Sequence, residues 1–322
     1  MRRNTRRRSS ARLAFLLALL ACIGLSRTQA ADVTAASAGL SPAQEPITPI
    51  PQPPPADPRK LMLGALLFAD PRLSHNDRMA CSSCHDVSTN GADDGGQQAA
   101  CNSGAAQPLD TPTVFNAALS YRLNWTGNVR TLEEQALSSI QSPLSLAASI
   151  DEVLRKLRAD PATVRRFEEA YGHRPDKAAL LDAIAVYERS LVTPGSRFDR
   201  WLEGDRTALT ELEQSGYESF KSLGCISCHQ GVNVGGNLLQ RHGIFRPLAS
   251  RLPEILRVPS LRNVATTAPY FHDGSASTLN QAVREMASAQ LDVTLSDQQI
   301  DAIVAFLKTL TGTLGGVPVS AP

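Results

Sequence analysis

Apolar residues first gather in an unbroken run from Leu13 to Leu25, too short for an obligatory membrane span of about 20 residues. Residues 32 to 58 then show no periodicity: they are rich in Ala, Pro, Ser and Thr, with seven prolines between Pro46 and Pro58. Proline fixes φ and removes a donor, so this stretch reads as an extended, mobile spacer. Leu61 to Phe68 reads as a buried helix ended by Asp70-Pro71, and Ser88 to Gln107 has the Gly, Asn, Asp and Gln content of a long loop. Beyond it, Leu132–Ile140, Asp151–Leu157, Pro161–Tyr171 and Lys177–Leu191 place apolar residues at three- and four-residue spacing, the pattern of amphipathic helices. Pro194-Gly195 marks a boundary. The second half opens with a helix over Glu211–Leu223 and closes with one over Ser296–Leu310, where Ser296 and Gln299 form a capping-box pattern. No sustained alternation of apolar and polar residues occurs. The fold class is therefore all-α, with tandem domains over 60–195 and 196–314, a linker over 32–59 and a tail over 315–322.

Charge changes the reading of the start. The formal net charge of the 322 residues is +1, but seven arginines and no acid lie in the first 31. Removing them from the 32 basic residues leaves 25 against 31 acidic. That mildly acidic body has no basic stripe and excludes nucleic acid as a partner. Basic head, short apolar middle and the small-residue stretch Thr28-Gln29-Ala30-Ala31 together describe a secretory signal peptide over 1–31. A lipoprotein site at Cys22 is the alternative. Either places the folded chain outside the cytoplasm, in the periplasm.

Six cysteines in an exported chain would ordinarily point to disulfides. Four of them instead form two Cys-x-x-Cys-His runs, Cys81/Cys84/His85 and Cys225/Cys228/His229, and Cys101 is left single. Two thiols at this spacing match the two vinyl groups of haem, and the adjacent His falls beneath the iron. Zinc, the main competitor, would need the two motifs to converge. The reading is two covalent c-type haems, one in each half.

The order of motifs resembles the bacterial di-haem cytochrome c peroxidases and their MauG-like relatives from about Leu63 to Gly312. It includes "LFADPRLSHNDRMACSSCH", "DTPTVFNAAL", "SRFDRWLEGDRTALTELEQSGYESF", "GCISCHQG", "VPSLRNVATTAPYFHDGS" and "IVAFLKTLTG". Asn90-Gly91-Ala92-Asp93 and the "LNW" segment are most similar to the MauG/MbnH-type branch. The resemblance implies two cytochrome c-like domains, with the peroxide-site haem first and the electron-transfer haem second. His229 and Met286 would ligate the second iron. The residues agree, since Leu279, Val283 and Met286 fall on one helical face, although such a Met is often plain core. Trp125 matches a tryptophan between the haems, where a buried core Trp is the plain alternative. Asp110, Thr267 and Pro269 match calcium ligands, with Asp in place of the family Asn.

Two departures bear on chemistry. The distal His that many such peroxidases carry about 16 residues past the first motif is missing from Ala99–Ser103, which leaves the first iron open to peroxide. Cys101 lies near that position and reads as a loop thiol without a role, a thiolate ligand being the alternative. Gln135 matches a distal-pocket Gln, but Ser145 stands where the family carries a catalytic Glu. A hydroxyl is a poor proton shuttle at neutral pH, and losing such a group costs about 10²–10⁴-fold in rate. The expected function is a peroxide-dependent oxidoreductase that passes electrons between hydrogen peroxide and a small redox protein (cytochrome c or cupredoxin) or a protein substrate. The alternative is a non-catalytic electron-transfer or redox-sensing cytochrome. The sequence leaves oligomeric state open, a homodimer included.

Overall fold

The computed structural model describes residues 45–92, 109–248 and 253–322; the expectations placed on 1–31, Cys22, 99–103 and Cys101 fall outside them. The described residues contain nine α-helices: α1 Pro58–Phe68, α2 Leu132–Gln141, α3 Ile150–Arg158, α4 Pro161–Tyr171, α5 Lys177–Ser190, α6 Arg197–Leu202, α7 Glu211–Ser222, α8 Leu279–Leu291 and α9 Asp297–Lys308. Each starts on an Asp, Ser or Thr whose side chain accepts a first-turn N–H, which satisfies a donor the helix itself cannot. The box at Ser296 and Gln299 forms as its spacing predicts. Among the described residues no helix is long and apolar enough to cross a membrane.

Two apolar cores result. The first gathers Leu63, Leu67, Leu154, Phe167 and Ile184 from α1 to α5. The second gathers Phe198, Tyr217, Phe220, Ile303 and Phe306 from α6, α7 and α9. The halves repeat one another. A Cβ on Gly64 of α1 would stand 2.0 Å from the Ala183 carbonyl oxygen of α5, and one on Gly216 of α7 would stand 1.9 Å from that of Ala302 in α9. Each crossing is closed by an aromatic pair four residues on, Phe68–Tyr187 at 5.3 Å and Phe220–Phe306 at 5.2 Å. Only glycine permits so close a helix approach.

The all-α expectation holds, and one expectation needs correction. The stretch after residue 45 is extended but not mobile. Ile47 is fully buried in the second core, and the Pro46 and Thr48 carbonyls accept from Gly231 N and from the guanidinium of Arg262. Arg262 is itself held by Asp199 at 2.7 Å, with both side chains buried. Prolines supply no N–H, but their carbonyls still accept, so a strap needs only scattered anchors. The tail is equally tied down. β3 Thr313–Leu314 pairs antiparallel with β4 Val317–Pro318, and Val319 is buried with Phe68, Val114, Phe115 and Leu191. The chain also contains strands: besides that hairpin, β1 Leu239–Arg241 pairs with β2 Ile255–Arg257. Ladders of two or three residues are too short to leave an alternation in sequence. All described residues belong to one compact unit.

Candidate haem sites

Each Cys-x-x-Cys-His run folds as one 3-10 turn, over Cys81–Ser83 and Cys225–Ser227. The two are nearly superposable in their bonding. His85 N and His229 N donate to the carbonyls of Cys81 and Cys225 at 3.0 Å, and Cys84 N and Cys228 N donate to the same carbonyls at 3.2 Å. The histidine rings are oriented alike, with Nδ1 3.1 Å from Gly91 O in His85 and 3.3 Å from Val234 O in His229. With Nδ1 as donor, Nε2 is the basic nitrogen, the tautomer an iron ligand requires. Phe68 and Phe220 stand against these rings at 6.4 and 6.3 Å. Burial pushes the pKa of His229 down to about 4, keeping the imidazole neutral. It pushes the thiols of Cys81 and Cys225 up to about 12 and about 11. Cys84 is disulfide-bonded, and a disulfide and a thioether to haem are alternatives at one sulfur atom.

Beside the second motif lies a largely apolar cavity of about 290 Å³, and Cys225, Cys228, His229, Leu279, Val283 and Met286 all line it. The face predicted for Leu279, Val283 and Met286 thus turns toward His229. Trp125, Asp110, Thr267, Pro269, His272 and Arg257 line other parts of the same wall. Arg257 is buried, and its guanidinium Nε donates to Asn124 O at 3.1 Å. Burial lowers its pKa to about 10, because a desolvated cation lacks hydration. A neutral His, a thioether, two cysteines and a buried cation suited to a propionate are a donor set that fits haem.

Trp125 donates from Nε1 to Asp110 O at 2.8 Å, and its ring meets His272 edge-on at 6.4 Å. His272 in turn stacks obliquely on His242 at 4.8 Å. The three residues expected at calcium therefore share a wall. Among the described residues no group of three or more His, Cys, Asp or Glu side chains could hold a metal ion, so any cation there would depend on carbonyl oxygens. On α2, Gln135 donates from Nε2 to Ser139 Oγ at 2.9 Å. Ser145 lies half-buried in the turn after α2, its N–H bonded to Ser142 O at 3.0 Å, and it is not hydrogen-bonded to Gln135.

Two residues escaped the sequence reading. One is Ser139. The other is Glu188 on α5, buried with no hydrogen-bond partner for Oε2 among the described residues. Burial pushes its pKa up to about 8, helped by Glu133 and opposed by Arg189. Its charge also raises the thiol of Cys81.

Two histidine-bearing haem turns on repeated, crossed-helix halves define a tandem di-haem c-type cytochrome. A family profile for di-haem cytochrome c peroxidase matches residues 58–207, and one for cytochrome c matches 214–311. The chain is 39% identical over 294 residues to cytochrome c551 peroxidase of Nitrosomonas europaea, covering 86% of this chain and 87% of that protein. It is 31% identical over 287 residues to the methylamine utilization protein MauG of Methylorubrum extorquens, covering 81% of each. Among solved structures, a MauG-like protein associated with microbial copper homeostasis aligns with a TM-score of 0.67 at 28% identity, covering 82% of this chain and 93% of that one. The chain belongs to the di-haem cytochrome c peroxidase family, which includes MauG. It is a peroxidase-type oxidoreductase with two c-type haems.

Proposed function

We propose that the chain reduces hydrogen peroxide at its first haem site with electrons entering through its second. Cys81, Cys84 and His85 would hold the first haem, and Cys225, Cys228, His229 and Met286 the second. When bound, the two irons supply the one-electron couples that reduction of peroxide to two waters needs. The observation that carries this reading is an asymmetry. The helix beside the second motif, α8, presents Met286 to the cavity, whereas its counterpart α2 carries no Met, His or Cys. A thioether donor from Met286 would suit the second site, and small polar groups would suit the first.

Gln135 would orient peroxide through its amide, and Ser145 through its hydroxyl. Neither moves a proton readily at neutral pH, so turnover is slow compared with a site that has a carboxylate at 145. Trp125 lies in the wall of the cavity beside the second motif and would link the two haems electronically. Electrons would come from a small redox protein, a cytochrome c or cupredoxin, or from side chains of a bound protein. Such a partner would be met in the periplasm. Calcium at Asp110, Thr267 and Pro269 would tie the segment before Trp125 to the second half; prolonged chelation should then weaken transfer between the haems while leaving both covalently attached. Ser145 favours a second reading, electron transfer or redox sensing without peroxide turnover. Stopped-flow spectra with hydrogen peroxide separate the two: the first reading requires a change at the first haem, and spectra unchanged over minutes in excess peroxide would retire it.

A further inference from the structure

The two haem turns differ in what lies behind their aromatic contacts. Among the described residues the first series is short: Phe68 stands against His85 and meets Tyr187 at 5.3 Å. The second runs on. Phe220 stands 6.3 Å from His229 and meets Phe306 at 5.2 Å; Phe306 meets Tyr217 at 5.0 Å, and Tyr217 meets Trp201 at 5.8 Å. Phe220, Phe306 and Tyr217 are buried, whereas Trp201 is only partly so, with the exposed Arg206 guanidinium 4.9 Å from its ring centre. A continuous row of rings therefore joins the second haem turn to the surface. One member of the row has a proton acceptor of its own. The Tyr217 hydroxyl donates to Glu45 Oε2 at 2.6 Å, and Lys221 Nζ lies 3.5 Å from the same oxygen. Both Tyr217 and Glu45 are buried. Anchoring the strap does not call for this pair, because Ile47 and the carbonyls of Pro46 and Thr48 already hold it, and a buried carboxylate is a costly anchor.

We propose that Tyr217 and Glu45 form a one-electron redox site that carries oxidising equivalents from the second haem site to Trp201 at the surface. The inference rests on the reading that seats the second haem at His229, and its oxidant is the hydrogen peroxide that a peroxidase consumes. One electron leaves Tyr217 toward the haem site across Phe306 and Phe220. The phenolic proton crosses to Glu45 Oε2, leaving a neutral tyrosyl radical beside a carboxylic acid. Trp201 then returns one electron, Glu45 returns the proton, and the phenol is restored. The hole now on Trp201 is filled by a small one-electron reductant from solution. Proton transfer is what makes the step feasible. Burial and the Glu45 carboxylate push the Tyr217 pKa well up, so the phenol does not ionise beforehand. Losing an electron alone would leave a cation in an apolar core. Tyr270 supplies the contrast. It lines the cavity beside His229, yet burial alone raises its pKa and its hydroxyl has no carboxylate partner among the described residues. The row is an outlet for turnovers in which peroxide arrives and no donor protein is docked.

The test mixes the mature holoprotein with hydrogen peroxide, without a donor, and freezes it for electron paramagnetic resonance. A radical signal should appear whose shape changes when ring-deuterated tyrosine is incorporated. Tyr217→Phe, which removes one hydroxyl, should abolish it, and Tyr270→Phe should leave it in place. Glu45→Gln still accepts the O–H bond but takes no proton, so the strap stays anchored while radical formation slows about 10²-fold. A tyrosyl signal that survives Tyr217→Phe, or forms at the wild-type rate in Glu45→Gln, overturns the inference. So does a peroxide-induced change in the haem spectra with no radical that depends on Tyr217. A second arm bypasses peroxide and both haems. A flash-excited ruthenium polypyridyl complex with persulfate oxidises accessible aromatic side chains directly, and the hole entering at Trp201 should settle on Tyr217. That part of the tyrosyl signal should vanish in Tyr217→Phe and in Trp201→Phe. A protein inert to peroxide that shows it would sink the proposed function and leave the Tyr217–Glu45 site standing; its absence overturns the site.

Discussion

Asn116 and Asn263 aim their side-chain amides at one hydroxyl: Nδ2 of the first lies 2.8 Å, and of the second 2.9 Å, from Thr193 Oγ1. Both asparagines adopt the left-handed conformation with φ of 60°, and all three residues are buried. Each asparagine also uses Oδ1 to accept a backbone N–H, from Thr193 and from Gly312. The two halves thus meet at a shared acceptor placed at the end of the first.

Thr193→Val keeps the shape and deletes that acceptor, leaving two buried amide donors unmatched. Each such group costs about 1–3 kcal/mol, so a loss of about 2–6 kcal/mol is expected from urea unfolding, while Thr193→Ser should stay within about 1 kcal/mol. A Val variant as stable as the wild type would contradict the shared-acceptor account.

Gly64→Ala should destabilise the first half by forcing α1 from α5, because the added carbon would meet the Ala183 carbonyl at 2.0 Å. Overpacking of this kind costs about 1–3 kcal/mol. Phe68 of α1 leans on His85 at 6.4 Å, so the spectrum of the first haem should change more than that of the second. Gly216→Ala should reverse that order. Equal perturbation of both haems by either variant would speak against two separate crossings.

Met286→Ala should remove the sulfur-to-iron band and lower the potential of the second haem, since a Met axial ligand raises it. Redox titration followed in the visible region reads both effects. A wild type already lacking the band would rule out the Met ligand.

Glu188 gives stability a pH dependence of defined sign. Its carboxyl is raised from 4.5 to about 8 by burial, so between those values the folded chain keeps a proton that the unfolded chain releases. The stabilisation is complete below about 4.5 and is lost as pH rises through about 8, at a slope of up to about 1.4 kcal/mol per pH unit. The groups facing it are Glu133 from α2, Arg189 on its own helix and Cys81 from the haem turn. Glu188→Gln should flatten this slope in urea titrations at several pH values; an unaltered slope would show that another group sets it.

Much of this architecture could be read from the sequence because its signals are local. Helices such as Pro161–Tyr171 carry enough turns for periodicity to register, and their caps sit one residue away. The haem turns are contiguous and chemically unmistakable. α6 Arg197–Leu202 spans fewer than two turns and leaves no period. Ile47 is an isolated apolar residue among prolines, so its burial depends on a core built mainly from residues beyond 197. Ser139 carries no signal of its own, because it is one of two adjacent serines and only the fold shows which of them takes the bond from Gln135. Glu188 is invisible for a related reason: an acid inside a core looks, in sequence, like an acid on a helix surface.

The strap and the tail exchange halves, the first packing into the second core through Ile47 and the second packing through Val319 against Phe68, Val114, Phe115 and Leu191 of the first half. Each half therefore completes its packing with a residue that lies far away in sequence, in the other half of the chain. A chain cut short by only a few residues should therefore show its defect at the far end of the molecule, around Phe68 and the first haem turn, rather than next to the missing piece.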